Sequence, residues 1–180
     1  NGQHYLTDYT NASRTLFFNL KTLSWDQELL AAFGLSTLNL PEPKPSSTFF
    51  GESNFNGLFD QTLPITSLIG DSHAAAFGEG CFAPGTAKAT LGTGCSIMMN
   101  IGEEPITSQQ GMVTTICWST EERPGRRSVY YALEGVIVTC GATIEWLKNS
   151  LGLFAESRET EEMATAVPDN GGVYIVPAFS

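Results

Sequence analysis

The alternation of apolar and polar segments along the chain predicts a mixture of short helices and strands. Residues 7–15 are dense in Thr, Asn, Asp and Ser, which predicts a turn leading into a short helix. A second helix is predicted over residues 25–33, where Ser24 supplies the cap and Gln27 completes a capping box. Gly34 then ends this helix, because glycine tolerates the left-handed conformation that follows many helices.

Proline and apolar residues define the next two segments. Residues 40–47 hold three prolines within five positions, which predicts an extended connector, since proline removes a hydrogen-bond donor and fixes φ. Residues 64–71 form an apolar run that predicts a short buried strand, and residues 72–78 follow with strong helix formers. Asp71 is thereby expected at the carboxyl end of a strand, where open α/β sheets bind ligands.

The second half of the chain carries further strand patterns and one amphipathic stretch. Residues 86–91 and 96–101 flank the Gly-rich sequence at 92–95, which predicts a β-hairpin. Residues 111–118 and 129–133 predict two more strands, separated by a charged turn through residues 121–125. From Glu134 to Leu151 the pattern becomes amphipathic and predicts a helix with a buried apolar face.

Composition narrows the class of protein. With 42% hydrophobic and 16% charged residues, the 180-residue chain has the balance of a globular protein with a sizeable core. The net charge of -10 repels polyanionic backbones, so no nucleic-acid partner is expected. A small anion such as ATP stays compatible, because a few backbone amides and a metal ion can hold phosphate in an acidic protein.

The apolar runs, the cysteines and the two ends of the sequence indicate where the protein resides and whether the chain is a fragment. The longest apolar run, residues 136–142, is too short to cross a bilayer, so no membrane partner is expected. Four cysteines without metal-ligand spacing indicate free thiols in a reducing cytoplasm. Because the chain starts at Asn1 and stops within an apolar run at 172–180, we expect both ends to be internal to a longer protein.

Five collinear segments carry a resemblance to a known family. Residues 7–15 (TDYTNASRT), 70–78 (GDSHAAAFG) and 92–95 (GTGC) are similar to hallmark segments of FGGY carbohydrate kinases, of the glycerol kinase and xylulokinase type. Residues 131–135 with 141–147, and the terminal residues 173–180, resemble two further segments. The resemblance covers essentially the whole chain.

The resemblance implies an α/β, ribonuclease-H-like actin-type ATPase fold with two lobes. Residues 1–79 would be the C-terminal part of the first lobe, and residues 80–180 the N-terminal part of the second. The implied activity is ATP-dependent phosphorylation of a sugar or polyol hydroxyl, with Mg²⁺ as the metal; the fragment alone is expected to be inactive, and homodimer formation is left open. The alternative is a non-catalytic actin-like module that binds nucleotide.

Asp71 is the expected catalytic and substrate-binding residue. A neutral hydroxyl is a poor nucleophile, so phosphoryl transfer benefits from a carboxylate that accepts its proton. The alternative is that Asp71 only caps the helix that begins at Ser72. The same carboxylate could help to hold Mg²⁺ through water. Because Asp71 fills the role of base, His73 is expected to be an ordinary helix-face residue.

The expected nucleotide contacts lie further along the chain. Gly92, Thr93 and Gly94 would bring backbone amides close to the transferred phosphate, although the same residues could form a plain hairpin turn. In the family, the positions of Gly141 and Glu145, four apart on one helix face, look toward the nucleotide. Glycerol kinases carry Gln where this chain has Glu145, and a carboxylate near ATP would be repulsive unless it binds ribose hydroxyls or stays exposed.

Two departures from the glycerol kinase pattern concern the acceptor. Ser72 stands where glycerol kinases have Gln, and Ser96 stands where they have a Phe that packs on the carbon backbone of glycerol. A serine removes apolar contact area and adds a hydroxyl, which favours a larger or more hydroxylated acceptor. Ser72 and Ser96 are therefore expected to bind substrate, and glycerol is not expected to be the preferred one.

Overall fold

The computed structural model describes residues 4–123 and 125–176. The helices are α1 (Tyr9–Ala12), α2 (Gln27–Ala32), α3 (Asp71–Gly78), α4 (Gly141–Asn149) and α5 (Glu159–Thr165), with a 3₁₀ turn at Ser13–Thr15. The strands are β1 (Leu6–Asp8), β2 (Phe18–Asn19), β3 (Ser24–Trp25), β4 (Glu42–Lys44), β5 (Ser47–Ser53), β6 (Leu63–Ser67), β7 (Ala87–Leu91), β8 (Cys95–Gly102), β9 (Val113–Arg123) and β10 (Arg126–Ile137).

Six of these strands form one mixed sheet in the order β6-β5-β9-β10-β8-β7. Within it, β9 and β10 pair antiparallel over a long register, whereas β5 meets β9 in parallel at Ser47 and Thr120. A separate parallel pair joins β1 to β4, and β2 and β3 form a short antiparallel ladder. The predicted hairpin is present as neighbouring strands β7 and β8, joined by residues 92–94.

The chain divides into two compact units. The first holds the described residues up to Lys88 together with Met98–Glu134, and the second holds Ala89–Ile97 together with the residues from Gly135 onward. The first unit contains two buried clusters, one around Met98, Cys117 and Trp118 and the other around Tyr9 and Ile116. Most of the buried side chains in these clusters come from α1, α3, β8, β9 and β10, and Phe18 of β2 and Cys81 complete them.

The start of α2 differs from its prediction. Asp26, not Ser24, caps the helix, and its side chain accepts a hydrogen bond from the Leu29 amide at 3.1 Å. Ser24 and Trp25 instead form β3 opposite Phe18 and Asn19. The predicted stop is confirmed, since Gly34 has a left-handed φ of +70°.

The strand before Asp71 also differs from its prediction. β6 ends at Ser67, lies at the edge of the sheet and is largely exposed, so it is not the buried strand expected over residues 64–71. Asp71 follows after a three-residue connector and is the first residue of α3. The proline-rich segment is extended as predicted, and its residues Glu42–Lys44 pair with β1 in a sheet of only two strands, where proline is tolerated.

Several remaining features follow the predictions only in part. The helix predicted after Glu134 begins at Gly141, because β10 continues to Ile137, and none of its residues is fully buried. Residues 173–176 form no strand, and residues 177–180 of the terminal segment, like Pro124 of the charged turn, lie outside the described residues.

All four cysteines are free, as predicted. In the described part of the chain, the helices are too short or too polar to span a bilayer.

Candidate functional site

Asp71 opens helix α3 in the first unit. Gly70 is the N-cap residue of α3, and Asp71 is the first residue of the helix. The alternative that Asp71 is the cap of a helix that begins at Ser72 is therefore wrong. One carboxylate oxygen of Asp71 accepts the amide proton of its neighbour Ser72 at 2.6 Å, and the side chain is exposed. The carboxylate is therefore accessible to a ligand.

A cavity of about 140 Å³ opens beside this carboxylate. Its walls come from the segment after β1, the start of α3 and the middle of β10, and they consist of Asn11, Arg14, Gly70, Asp71, Ser72, His73 and Glu134. All of these residues belong to the first unit. Two of the three predicted acceptor residues, Asp71 and Ser72, thus share one polar cavity of a size suited to a small hydroxylated molecule.

A salt bridge between Arg14 and Glu134 forms one wall of the cavity. The Glu134 side chain is 6% exposed and the Arg14 side chain 47% exposed, so a buried carboxylate is paired with a cation that reaches the solvent. Removing Arg14 or Glu134 would cost stability, because the pair joins a buried carboxylate to a cation. Arg14 is therefore held at the cavity rather than free to sample solution.

Asp8 is fully buried and is bonded to the cavity residue Asn11. Its Oδ2 accepts hydrogen bonds from the Thr10 amide at 2.9 Å, the Thr10 hydroxyl at 2.7 Å and the Ser46 hydroxyl at 2.8 Å. Its Oδ1 accepts from the amide and the side chain of Asn11. Asp8 is also the N-cap residue of α1, so the carboxylate fixes the short helix that delivers Asn11.

His73 is buried rather than exposed on the surface of α3. The residue is 4% exposed, and neither ring nitrogen has a hydrogen-bond partner. Burial lowers the pKa of His73 below 6.5, and nearby Arg14 and Lys88 act in the same direction. Glu134 and Asp8 oppose the shift but do not cancel it. The imidazole is accordingly neutral near pH 7.

The second unit contains the Gly-rich bend at the start of α4. The carbonyl oxygen of Thr93 accepts the amide protons of Cys140 at 2.7 Å and Ala142 at 3.1 Å, and the carbonyl oxygen of Gly92 accepts that of Gly141 at 2.8 Å. These amides belong to the first turn of the helix, which has no internal partners for them. The bend is therefore bonded directly to the helix N-terminus.

Two glycines allow this close approach. A Cβ atom on Gly141 would lie 2.7 Å from the Gly92 carbonyl oxygen, and one on Gly94 would lie 2.9 Å from the carbonyl oxygens of Ile137 and Val138. The neighbouring atoms belong to the backbone, which cannot move aside to make room for a Cβ atom as a flexible side chain can. Glycine at 94 and at 141 is thus a packing requirement of the bend and helix.

A cavity of about 610 Å³ lies where the bend meets α4. It is lined by Thr93, Gly141, Ala142, Ile144, Glu145 and Ser157, all from the second unit. Glu145 is exposed, and its carboxylate accepts hydrogen bonds from Ser157 at 2.9 Å and Asn149 at 3.1 Å. These bonds, with Lys148 nearby, lower the pKa of Glu145, so the carboxylate is charged at neutral pH. The structure brings Thr93, Gly141 and Glu145 together, as expected for one site.

The third predicted acceptor residue, Ser96, lies in β8 of the second unit and is half-buried. It is absent from the residues that line the cavity beside Asp71. Among the described residues, no group of three or more His, Cys, Asp or Glu side chains could hold a metal ion.

Local sequence pattern does not single out the charged residues in and beside the first cavity, which are the buried Asp8 and Glu134 and the partly exposed Arg14. Asp8 and Arg14 stand in a polar turn, and Glu134 stands at the start of the stretch whose pattern predicts an amphipathic helix. A signal for Glu134 was present, because it directly follows the apolar strand residues Tyr131, Ala132 and Leu133, where an unpaired carboxylate would be costly. Its partner, 120 residues earlier, could not be recognised from local pattern.

Comparison with known families places both parts of the chain. Residues 2–78 match the N-terminal domain and residues 87–180 the C-terminal domain of the FGGY family of carbohydrate kinases. Together the two matches account for nearly the whole sequence. The chain belongs to the FGGY family of carbohydrate kinases, as the resemblance implied.

Individual relatives agree with this assignment. The chain is 48% identical over 179 residues to a glycerol kinase of Desulfitobacterium hafniense, which covers 99% of this chain and 35% of that relative. A crystal structure of Plasmodium falciparum glycerol kinase with ADP superimposes with a TM-score of 0.85 at 36% identity, covering 97% of this chain and 34% of that one. A ligand-bound xylulose kinase from Lactobacillus acidophilus shares the fold, with a TM-score of 0.72 at 21% identity, over 92% of this chain and 33% of that one.

These comparisons confirm the predicted α/β fold of the actin-like ATPase type. The chain spans about a third of the length of the curated relatives that it matches.

Proposed function

We propose that the full-length protein phosphorylates a hydroxyl group of a polyol or sugar with ATP. The observation that carries the proposal is the exposed Asp71 carboxylate, which shares a small polar cavity with Ser72 and the Arg14–Glu134 pair. The relatives named as glycerol kinases support an alcohol acceptor, and the ADP in the Plasmodium falciparum structure supports an adenine nucleotide.

In this mechanism, Asp71 accepts the proton of the attacking hydroxyl. A carboxylate serves as the base when it lies within hydrogen-bond reach of that hydroxyl, and the oxygen of Asp71 not engaged by the Ser72 amide is suited to this. Arg14 supplies a fixed positive charge at the same cavity. Asn11 and Ser72 add polar groups that orient further hydroxyls of the acceptor.

The nucleotide site is proposed at the cavity between the Gly-rich bend and α4. Because the Gly92 amide already donates to the Gly94 carbonyl at 2.9 Å, the phosphate contacts are assigned to Thr93 and Gly94. Gly141 leaves room beside the bend, and Glu145 is proposed to accept hydrogen bonds from ribose hydroxyls. A ribose contact removes the conflict between a charged carboxylate and the phosphates.

We propose that Mg²⁺ accompanies the nucleotide. Mg²⁺ commonly keeps several waters and binds through one or two carboxylates plus substrate phosphates, so a single exposed carboxylate could serve as its protein ligand. Asp71 is the residue that would hold the ion through water, since its carboxylate is exposed. When bound, the ion neutralises charge that develops on the phosphates.

The test is a kinase assay with the full-length protein, coupled to ADP release, over glycerol, erythritol, xylulose, ribulose and gluconate. We expect turnover with at least one acceptor, and a kcat at least about a hundredfold lower for Asp71→Asn, since general-base catalysis typically contributes 10²–10⁴. Nucleotide affinity should change little in that variant. ATP binding without phosphorylation of any acceptor would favour the rival, a non-catalytic actin-like nucleotide-binding module.

A further inference from the structure

Gly70, the residue before Asp71, is held by Thr10, which lies 60 positions earlier in the chain. The amide of Gly70 donates a hydrogen bond to the Thr10 hydroxyl oxygen at 2.9 Å, and that hydroxyl donates to Asp8 Oδ2 at 2.7 Å. We propose that Thr10 and Asp8 are positioning residues for Asp71, which fix the base through the backbone of Gly70. This inference rests on the proposed function of Asp71.

The chemistry of the Thr10 hydroxyl sets the direction of the chain of bonds. A hydroxyl has one proton to donate and two lone pairs that can accept. An ionised carboxylate only accepts, so the hydroxyl proton points to Asp8 and a lone pair faces the Gly70 amide. Thr10 and Asp8 are both fully buried, and water therefore does not compete for either bond.

Asp8 is suited to anchor this arrangement. Five donors from Thr10, Asn11 and Ser46 surround its two oxygens. Hydrogen bonds to a charged group are shorter and stronger than neutral ones, so the carboxylate holds its neighbours at fixed positions. Asp8 is the last residue of β1 and the N-cap of α1, far from α3 in sequence.

Gly70 is confined on its other side by His73. A Cβ atom on Gly70 would lie 2.7 Å from His73 Nδ1 and 3.6 Å from the Thr10 hydroxyl oxygen. The carbonyl oxygen of Gly70 accepts the Ala74 amide proton at 2.8 Å. Both polar groups of Gly70 are thus bonded, and the residue is packed between Thr10 and the buried imidazole.

The position of Asp71 depends on this backbone anchoring. Its own side chain is exposed and accepts a hydrogen bond from the adjacent residue Ser72, which moves with it. A base that must meet a substrate hydroxyl at hydrogen-bond distance is sensitive to a displacement of the peptide that carries it. Loss of the Thr10 hydroxyl releases the Gly70 amide and leaves it, in a partly buried position, without that acceptor.

The proposal is tested with Thr10→Val, Thr10→Ser and Ser46→Ala in the full-length protein, with Asp71→Asn as the reference. Thr10→Val keeps the shape and removes the hydroxyl, and we expect kcat to fall about tenfold to a hundredfold, as small misplacements of reacting groups do. KM for ATP should stay within about twofold, because ATP is assigned to the other unit. Thr10→Ser restores the hydroxyl and should recover most of kcat.

Ser46→Ala is the matched control. It removes a hydroxyl that donates to the same oxygen of Asp8, at 2.8 Å and with similar burial, but it makes no bond to Gly70. We expect Ser46→Ala to lower the melting temperature as Thr10→Val does while kcat is retained. A parallel fall of kcat in Ser46→Ala would overturn the positioning role, because general loss of stability would then explain both.

The remaining outcomes separate this inference from the proposed function. If Thr10→Val has a normal kcat while Asp71→Asn is inactive, the positioning role of Thr10 is overturned and the role of Asp71 as the base is kept. An active Asp71→Asn overturns the proposed function and the inference with it. If Thr10→Val does not fold, Gly70→Ala displaces the same peptide from the side of His73, and unchanged kcat in that variant counts against the inference.

Discussion

Arg14 and Glu134, 120 residues apart in the chain, pair beside the imidazole of His73. His73 is buried with both ring nitrogens unbonded, and it faces two cations, Arg14 and Lys88, and two carboxylates, Asp8 and Glu134. Burial and the two cations disfavour the imidazolium, so the folded protein holds the pKa of His73 below 6.5.

This environment predicts a loss of stability in mild acid. As the pH falls through 6.5 toward the lowered pKa, His73 becomes protonated in the unfolded chain but stays neutral in the folded protein. The free energy of unfolding therefore decreases. Above about pH 7 the two states are equally neutral at this residue and the effect vanishes. We expect His73→Gln to show a smaller drop in melting temperature between pH 7.5 and pH 5.5 than the unmodified protein.

The exposed residue His4 provides the control for this prediction, since the chain contains only two histidines. His4→Gln replaces the exposed histidine and is measured in parallel. The carboxylates with lowered pKa values, Asp26, Glu121 and Glu145, titrate below 4.5 and outside the measured range. An identical pH dependence in His73→Gln and the unmodified protein would contradict the assignment.

Gly141→Ala is predicted to destabilise the second unit. The added methyl group would meet the Gly92 carbonyl oxygen at 2.7 Å, and overpacking of this kind costs about 1–3 kcal/mol. Gly92→Ala is the matched variant, because its Cβ atom would meet only the Gly94 carbonyl oxygen at 3.7 Å. Thermal unfolding should show a clear loss for the first variant and a much smaller one for the second; equal losses would rule out the steric explanation.

Thr93→Val is predicted to weaken use of ATP without unfolding the bend. The substitution keeps the branched shape and removes the hydroxyl proposed to bind phosphate. Because a hydrogen bond to a charged group contributes roughly 1.5–3 kcal/mol, kcat/KM for ATP should fall about tenfold or more. Thr93→Ser should restore it, and unchanged kinetics in Thr93→Val would support the plain hairpin turn instead.

Ser96→Phe is predicted to raise turnover of glycerol relative to five- and six-carbon acceptors. An aromatic wall adds apolar contact with a three-carbon substrate, worth roughly 1–3 kcal/mol or about tenfold to two hundredfold in kcat/KM. The expectation that Ser72 and Ser96 favour a longer acceptor comes from the family pattern, and Ser96 does not line the cavity beside Asp71, so this substitution also tests whether Ser96 contacts the acceptor. Competition assays with paired acceptors measure the ratio, and a preference of the unmodified protein for glycerol would contradict the argument.

Local pattern predicted the elements of the second site, because a Gly-rich bend and an amphipathic helix are both recognisable in short stretches of sequence. The choice of Thr93, Gly141 and Glu145 as nucleotide contacts came from the family resemblance; the three residues line one cavity, and their role stays a prediction. The roles of Asp8 and Glu134 could not be predicted, because their partners Ser46 and Arg14 are brought to them by tertiary contacts that local periodicity does not encode. For the same reason β6 was placed in the interior, although its neighbours in the sheet leave it at the edge.

The bonds between the bend and α4 have a mechanical consequence. The amides of Cys140, Gly141 and Ala142 all donate to carbonyl oxygens of Gly92 and Thr93, so the first turn of the helix is bonded directly to the bend. A displacement of α4 would therefore be transmitted through these bonds to Thr93, the residue proposed to bind phosphate.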